Sequence, residues 1–438
     1  MNAPGALHAL RGTLVDFTAD PHLAGPSAMR HVEDGLLVIR AGLIEAAGAA
    51  QDLLPTLPAG TPIGDERGKI LMPGFVDAHI HYPQTDVIAS HGKQLMDWLH
   101  TYTFPAEGRF ADIDHAREVA AFFLDELLRN GTTTAAVYAT VHKHSAEVLF
   151  EAAQARQMRL ITGKVMMDTQ SPQFLCDTAA SSYEDSADLI ERWHGRDRLL
   201  YAVTPRFVIT SSREQLRMAA RLLDEYPDVR MQTHIAENHT EIRMVAEFYP
   251  DSRDYLGVYE DFGLVRPGAL FGHCIHFDVS AWSRFAAAGA VAVHCPTSNL
   301  FLGSGLFNFG AARGVAARMA LATDVGGGTS FSMLQTLNEA YKVAQMGGHT
   351  FTSLDGFYLA TLGGAKALGL DSKIGNFDAG KEADVIALDP AATPILAHRT
   401  ALTGTLEEKL FALMVLGDDR AVSSTWVMGQ RYCPRAAI

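Results

Sequence analysis

The chain is 438 residues long, 48% hydrophobic and 20% charged, with a formal net charge of −14. That length allows a barrel-sized unit plus a smaller one, and the acidic balance argues against a nucleic-acid surface, which needs clustered Lys and Arg. No apolar run is long enough to span a membrane, no signal-like segment opens the chain, and Cys176, Cys274, Cys295 and Cys433 are scattered without a Cys-x-x-Cys pair, so the expectation is a cytoplasmic protein with free, mostly buried thiols and no membrane partner.

Residues 1–72 read as short strands at 12–17, 35–40 and 43–47, separated by turn formers such as Ala41-Gly42 and Pro58-Ala59-Gly60. At the far end, residues 383–388 and 425–432 read as strands again. Two unrelated β pieces would account for this. The expectation adopted is one β-sandwich built from both termini, residues 1–72 with 380–438, flanking a central unit of residues 73–379.

That central unit opens with the break Pro73-Gly74 and an apolar run over 75–80. Further apolar runs follow at 132–138, 160–166, 199–203, 229–234, 269–273, 290–294 and 319–323. One intervening helix is explicit: Ala120, Phe123, Leu124, Leu127 and Leu128 lie on one helical face, and Asn130-Gly131 closes it. Short buried strands joined by helices read as parallel βα units. Eight of them predict an α/β fold, a TIM-like (β/α)8 barrel, whose active site lies at the C-terminal ends of its strands.

The metal-capable residues then sort by strand. His79 and His81 close the first run, and side chains two apart in a strand share a face. His234 ends the fifth run, His273 the sixth, and Asp324 follows the eighth. Any one of these could be a satisfied core polar group; together they predict a mononuclear metal site with ligands His79, His81, His234 and Asp324. Zinc, one per subunit, fits the N/O set, and iron or manganese is compatible with it. Such an ion lowers the pKa of its water to about 7 and makes a nucleophile. Asp324 would accept that water's proton, and His273 would orient the nucleophile or polarise the leaving group.

Glu237, three residues past His234, reads either as a helix-N-terminal acid or as a general acid that protonates a ring nitrogen. Arg206 is a rim salt bridge or a donor to a substrate carbonyl; Phe207 is core or stacks on a planar ring. Lys164 falls in the third run rather than the fourth, which favours one metal over two. Cys274 and Cys295 read as packing residues, and His276 and His294 as support behind the site.

These residues resemble the amidohydrolase superfamily, and within it the guanine deaminases. The resemblance runs essentially end to end, through Pro73–Gln84, Asn130-Gly131-Thr132-Thr133-Thr134, His234–Asn238, Cys295–Leu300 and Gly380-Lys381-Glu382-Ala383-Asp384. Its specific marks are His81-Tyr82-Pro83-Gln84, Tyr102-Thr103-Phe104-Pro105-Ala106-Glu107 and Thr204-Pro205-Arg206-Phe207. The resemblance implies conversion of guanine and water to xanthine and ammonia, by metal-hydroxide attack at C2 with Glu237 as proton shuttle to N3. It also implies hydrogen bonds to the base from Gln84 and Arg206 and stacking by Phe207. His234 and Glu237 border the base; Trp98 is either a pocket wall or an ordinary core residue. A homodimer is implied by the family. The rival readings are an amidohydrolase for another heterocycle, which would lack the Gln84, Arg206 and Phe207 set, and a catalytically silent scaffold, which would need neither the ligands nor Glu237.

Overall fold

In the computed structural model, which describes residues 7–92 and 94–433, the eight apolar runs are eight parallel staves. They are Phe75–His81, Thr132–Tyr138, Arg159–Gly163 continued by Val165–Met166, Leu199–Pro205, Arg230–Ile235, Leu270–His273, Val291–His294 and Arg318–Leu321. They lie side by side in chain order. Parallel strands are covered on both faces, which is why these segments read as continuous apolar runs rather than alternating ones.

The barrel is drawn shut between its last and first staves. Asp324 N donates to His79 O at 3.0 Å and His81 N to Val325 O at 2.9 Å. Asp77 fastens the same seam, accepting from Thr323 N at 3.2 Å and Thr323 Oγ1 at 2.5 Å. Helix Ile113–Arg129 carries the expected stripe: Ala120, Phe123, Leu124, Leu127 and Leu128 are all buried, Asp112 caps its start, and Asn130 its end.

The flanking β unit is one seven-stranded mixed sheet drawn from both ends. Its spatial order is Gln430–Arg431, Val422–Val427, Val385–Leu388, Ile63–Pro73, Leu7–Phe17, Met29–Arg40 and Leu43–Ala49. Three features depart from the sequence expectation. The single strand expected over 425–432 is a hairpin, folded at Met428 (φ 49°) and Gly429 (φ 70°), the left-handed pair that matches strand twist in a tight turn. Strand Ile63–Pro73 was not expected at all: its first half is polar and largely exposed, so no alternating pattern marks it. Two helices of the C-terminal tail, Pro394–Thr400 and Leu406–Leu416, were likewise unread.

Gly74 alone separates strand Ile63–Pro73 from the first barrel stave; a Cβ there would lie 2.1 Å from Thr133 Oγ1, so the chain passes close against the second stave. Below the barrel, near the N-terminal ends of the staves, Arg159 and Arg198 reach the link before strand Val385–Leu388. Arg159 pairs with Glu382 through Nε at 2.8 Å, and Arg198 Nη2 with Glu382 at 2.7 Å and Asp384 at 2.5 Å. Among the described residues no helix is long and apolar enough to cross a membrane.

Candidate functional site

Four ligating atoms converge at the C-terminal rim. His81 Nε2 lies 3.2 Å from His79 Nε2 and 3.1 Å from His234 Nε2. Asp324 Oδ1 lies 3.3 Å from His79 Nε2 and 3.4 Å from His81 Nε2. Donors bound at about 2.0–2.1 Å around a tetrahedral ion sit about 3.3–3.4 Å apart, so the spacing suits one metal ion. His234 Nδ1 donates to Arg206 O at 2.7 Å, which turns the lone pair of Nε2 inward. Burial pushes His81 down to about 3 and His234 well below the usual imidazole range. Neutral imidazole is the ligating form.

The backbone is bent to aim these groups. Ala236, His273 and Asp324 all have positive φ (49°, 75° and 51°), a conformation that non-glycine residues rarely adopt and that clusters at functional sites. Gly272 supplies the floor beneath His79, since a Cβ there would lie 2.8 Å from His79 Cε1.

A cavity opens from the ligands and is bordered by Gln84, Trp98, Arg206, Phe207, Glu237 and Asp324. Glu237 stands at its inner end with each oxygen engaged: Ser304 Oγ donates to Oε1 at 3.0 Å, and His273 Nε2 lies 3.2 Å from Oε2. Burial, reinforced by the charge of Asp324, pushes Glu237 up to about 8, so its carboxyl exchanges a proton near neutral pH. His273 Nδ1 donates to Asn299 Oδ1 at 2.9 Å and so keeps Nε2 toward the cavity. Arg206 Nη1 donates to Glu107 Oε1 at 2.8 Å and Oε2 at 2.7 Å, and Gln84 Nε2 to Glu107 Oε1 at 3.2 Å.

His79, His81, His234 and Asp324 thus meet at one rim, with Gln84, Trp98, Arg206, Phe207, Glu237 and His273 around the cavity beside them. Lys164 does not: it is buried and ion-paired with Asp177. Cys274 and Cys295 are buried, Cys176 is half-buried and Cys433 exposed; none is in a disulfide. The Cys295 sulfur comes within 4.8 Å of donor atoms of His79, His273 and Asp324. Burial, with Asp324 and Asp77 nearby, holds its pKa well above the usual thiol range, and Sγ donates to Val293 O at 3.5 Å, so it stays a packed thiol. His276 bonds Ser304 O at 2.9 Å and so props the loop behind Glu237. His294 supports none of the ligands; it packs against Phe307 and Phe309 with neither ring nitrogen bonded. Glu107, Asn299 and Ser304 were missed. Glu107 and Asn299 lay in stretches already singled out, but nothing local marks Glu107 as the partner of Arg206 or Asn299 as the partner of His273.

Residues 70–432 match the model of the Amidohydrolase family. The chain is 50% identical over 432 residues to a guanine deaminase of Escherichia coli (strain K12), covering 98% of each. It superposes on the solved E. coli guanine deaminase with a TM-score of 0.95 at 49% identity, covering 98% of this chain and 100% of that one. Against the guanine deaminase of C. acetobutylicum, solved with guanine bound in its active site, the TM-score is 0.87 at 28% identity, covering 97% and 99%.

Proposed function

The chain belongs to the amidohydrolase family, within its guanine deaminases, and on that premise we propose how its residues divide the work. The reaction is hydrolytic deamination of guanine to xanthine and ammonia. His79, His81, His234 and Asp324 hold one divalent ion per subunit, zinc in this reading, with iron or manganese compatible with the same donors. When bound, that ion supplies Lewis-acid activation of water, whose pKa it lowers to about 7.

The protein's own groups do the rest. Phe207 stacks on the purine ring and Trp98 walls it. Arg206, which can only donate, meets the O6 acceptor; Gln84 completes the edge. Glu237 takes a proton from the attacking water and delivers it to N3 as the oxygen adds to C2. The second proton passes by way of Asp324 to the departing nitrogen, the C2–N bond breaks, and ammonia leaves. His273, pinned by Asn299, keeps Glu237 and the leaving group in line. The observation that carries this reading is the convergence of His79, His81, His234 and Asp324, in which His81 Nε2 lies 3.1–3.4 Å from a ligating atom of each of the other three, beside a cavity bordered by Glu237 and Arg206.

The same proposal divides the chain into a barrel of residues 73–379 and a flanking unit of 1–72 with 380–438. It takes the protein as a cytoplasmic homodimer with neither nucleic-acid nor membrane partners, which light scattering of the purified protein tests for assembly. Ultraviolet difference spectroscopy with guanine, and adenine in parallel, tests the chemistry. Conversion of guanine to xanthine with ammonia release, lost on chelation and restored by zinc, is expected. Turnover of adenine or another heterocycle with none of guanine would overturn the assignment of the base pocket.

A further inference from the structure

One fully buried carboxylate near the cavity has no part in the reaction just described. Glu107, in helix Phe104–Gly108, is fully buried and does not border the cavity. It touches both residues proposed to hydrogen-bond the base. Its two oxygens accept from Arg206 Nη1 at 2.8 and 2.7 Å, and Oε1 accepts from Gln84 Nε2 at 3.2 Å. The far end of the Gln84 amide is held as well, since Gly326 N donates to Oε1 at 3.2 Å.

We propose that Glu107 is a positioning residue that sets substrate specificity by fixing the hydrogen-bond polarity of the pocket edge. A glutamine amide can rotate by half a turn and exchange its donor and acceptor ends. Here one neighbour, a carboxylate, only accepts, and the other, a backbone N–H, only donates. One orientation satisfies both, and in it the NH2 group lies on the Arg206 side. The same carboxylate neutralises the buried guanidinium and anchors it by Nη1, leaving Nε and Nη2 without an acceptor among the described residues. The edge formed by Arg206 and Gln84 is therefore held as a donor edge. It fits a base presenting acceptors, such as the O6 and N7 of guanine, and mismatches an amino group at position 6. This inference rests on the proposed base-binding role of Arg206 and Gln84.

The test is calorimetric binding of hypoxanthine, which carries O at position 6, and adenine, which carries NH2 there, to the metal-loaded protein. In the parent, hypoxanthine should bind more tightly. In Glu107→Gln, whose amide lets Gln84 turn either way, the ratio of the adenine Kd to the hypoxanthine Kd should fall at least about tenfold. An unchanged ratio, whether both ligands weaken equally or neither does, overturns the proposal, because a merely structural role would not discriminate between them. If Glu107→Gln does not fold, Glu107→Asp is read the same way: its carboxylate is one methylene shorter and cannot reach both partners, so its ratio should also fall. Guanine turnover by the parent is scored separately. Its absence would remove the proposed function, while an unchanged binding ratio would remove only the role of Glu107.

Discussion

The two ends of the barrel bury ionisable groups in opposite ways. Beneath it, Arg159 and Arg198 meet Glu382 and Asp384, and every charge has an opposite charge within hydrogen-bond reach. At the upper rim three imidazoles and a carboxylate face one another, and the carboxyl of Glu237 has no cation in contact except through His273. The proton affinities diverge accordingly. Burial raises Glu382, but the hydrogen bonds and charges of Arg159 and Arg198 outweigh it and hold its carboxyl below the usual range. Burial pushes Glu237 up to about 8 and Glu241 and Asp77 to about 7. A paired buried charge serves stability only when its partners are complete; an unpaired convergent set is unfavourable for folding and is what a metal and a substrate can complete.

The contrast can be broken first at the rim. Glu237→Gln should lower kcat/KM for guanine by about 10²–10⁴-fold, the contribution of a positioned acid–base group, while the thermal midpoint of the protein holds or rises. A variant that kept parental turnover would remove Glu237 from the proton path. The lower end should answer in the reverse sense. Glu382→Ala leaves two buried guanidinium groups short of a partner and should cost about 3–5 kcal/mol in urea unfolding, with kcat on the still-folded protein unchanged. A large fall in kcat with little loss of stability would dissolve the distinction.

A smaller effect is expected where backbone meets ligand. Gly272→Ala pushes a methyl group into His79, and metal affinity, measured by competition with a chromogenic chelator, should drop about 10–100-fold. Parental affinity would mean that the floor yields. The smallest effect is the pH dependence of stability in chelated protein. Glu237 binds its proton more tightly folded than unfolded, so its contribution is greatest below about 4.5 and declines as pH rises toward 8. Glu382 runs the other way: its contribution is present above the ordinary carboxylate range and is lost as pH falls through its lowered pKa. Glu237→Gln should thus flatten the loss of thermal midpoint between pH 5 and 8, and Glu382→Gln the loss in acid, with differential scanning calorimetry separating the two limbs.

How much of this was legible beforehand follows the range over which each cue acts. Helix Ile113–Arg129 and the His79/His81 pair are written in periods of two to four residues and the eight staves in short apolar runs, and both cues survive in the fold because burial enforces them. Parallel βα order then places His234, His273 and Asp324 at one rim without further information. Other parts needed the closed barrel. Glu107 meets Arg206 across 99 residues and Ser304 meets Glu237 across 67; nothing near either residue announces its partner. Strand Ile63–Pro73 exists because Leu7–Phe17 and Val385–Leu388 flank it, and the turn at Met428-Gly429 because the sheet edge folds back there. Local composition determined which residues are the candidates for the chemistry. Their hydrogen-bond partners, and so their orientation and proton affinity, were decided only when distant segments were brought into contact, since desolvation and pairing depend on neighbours in space rather than in sequence.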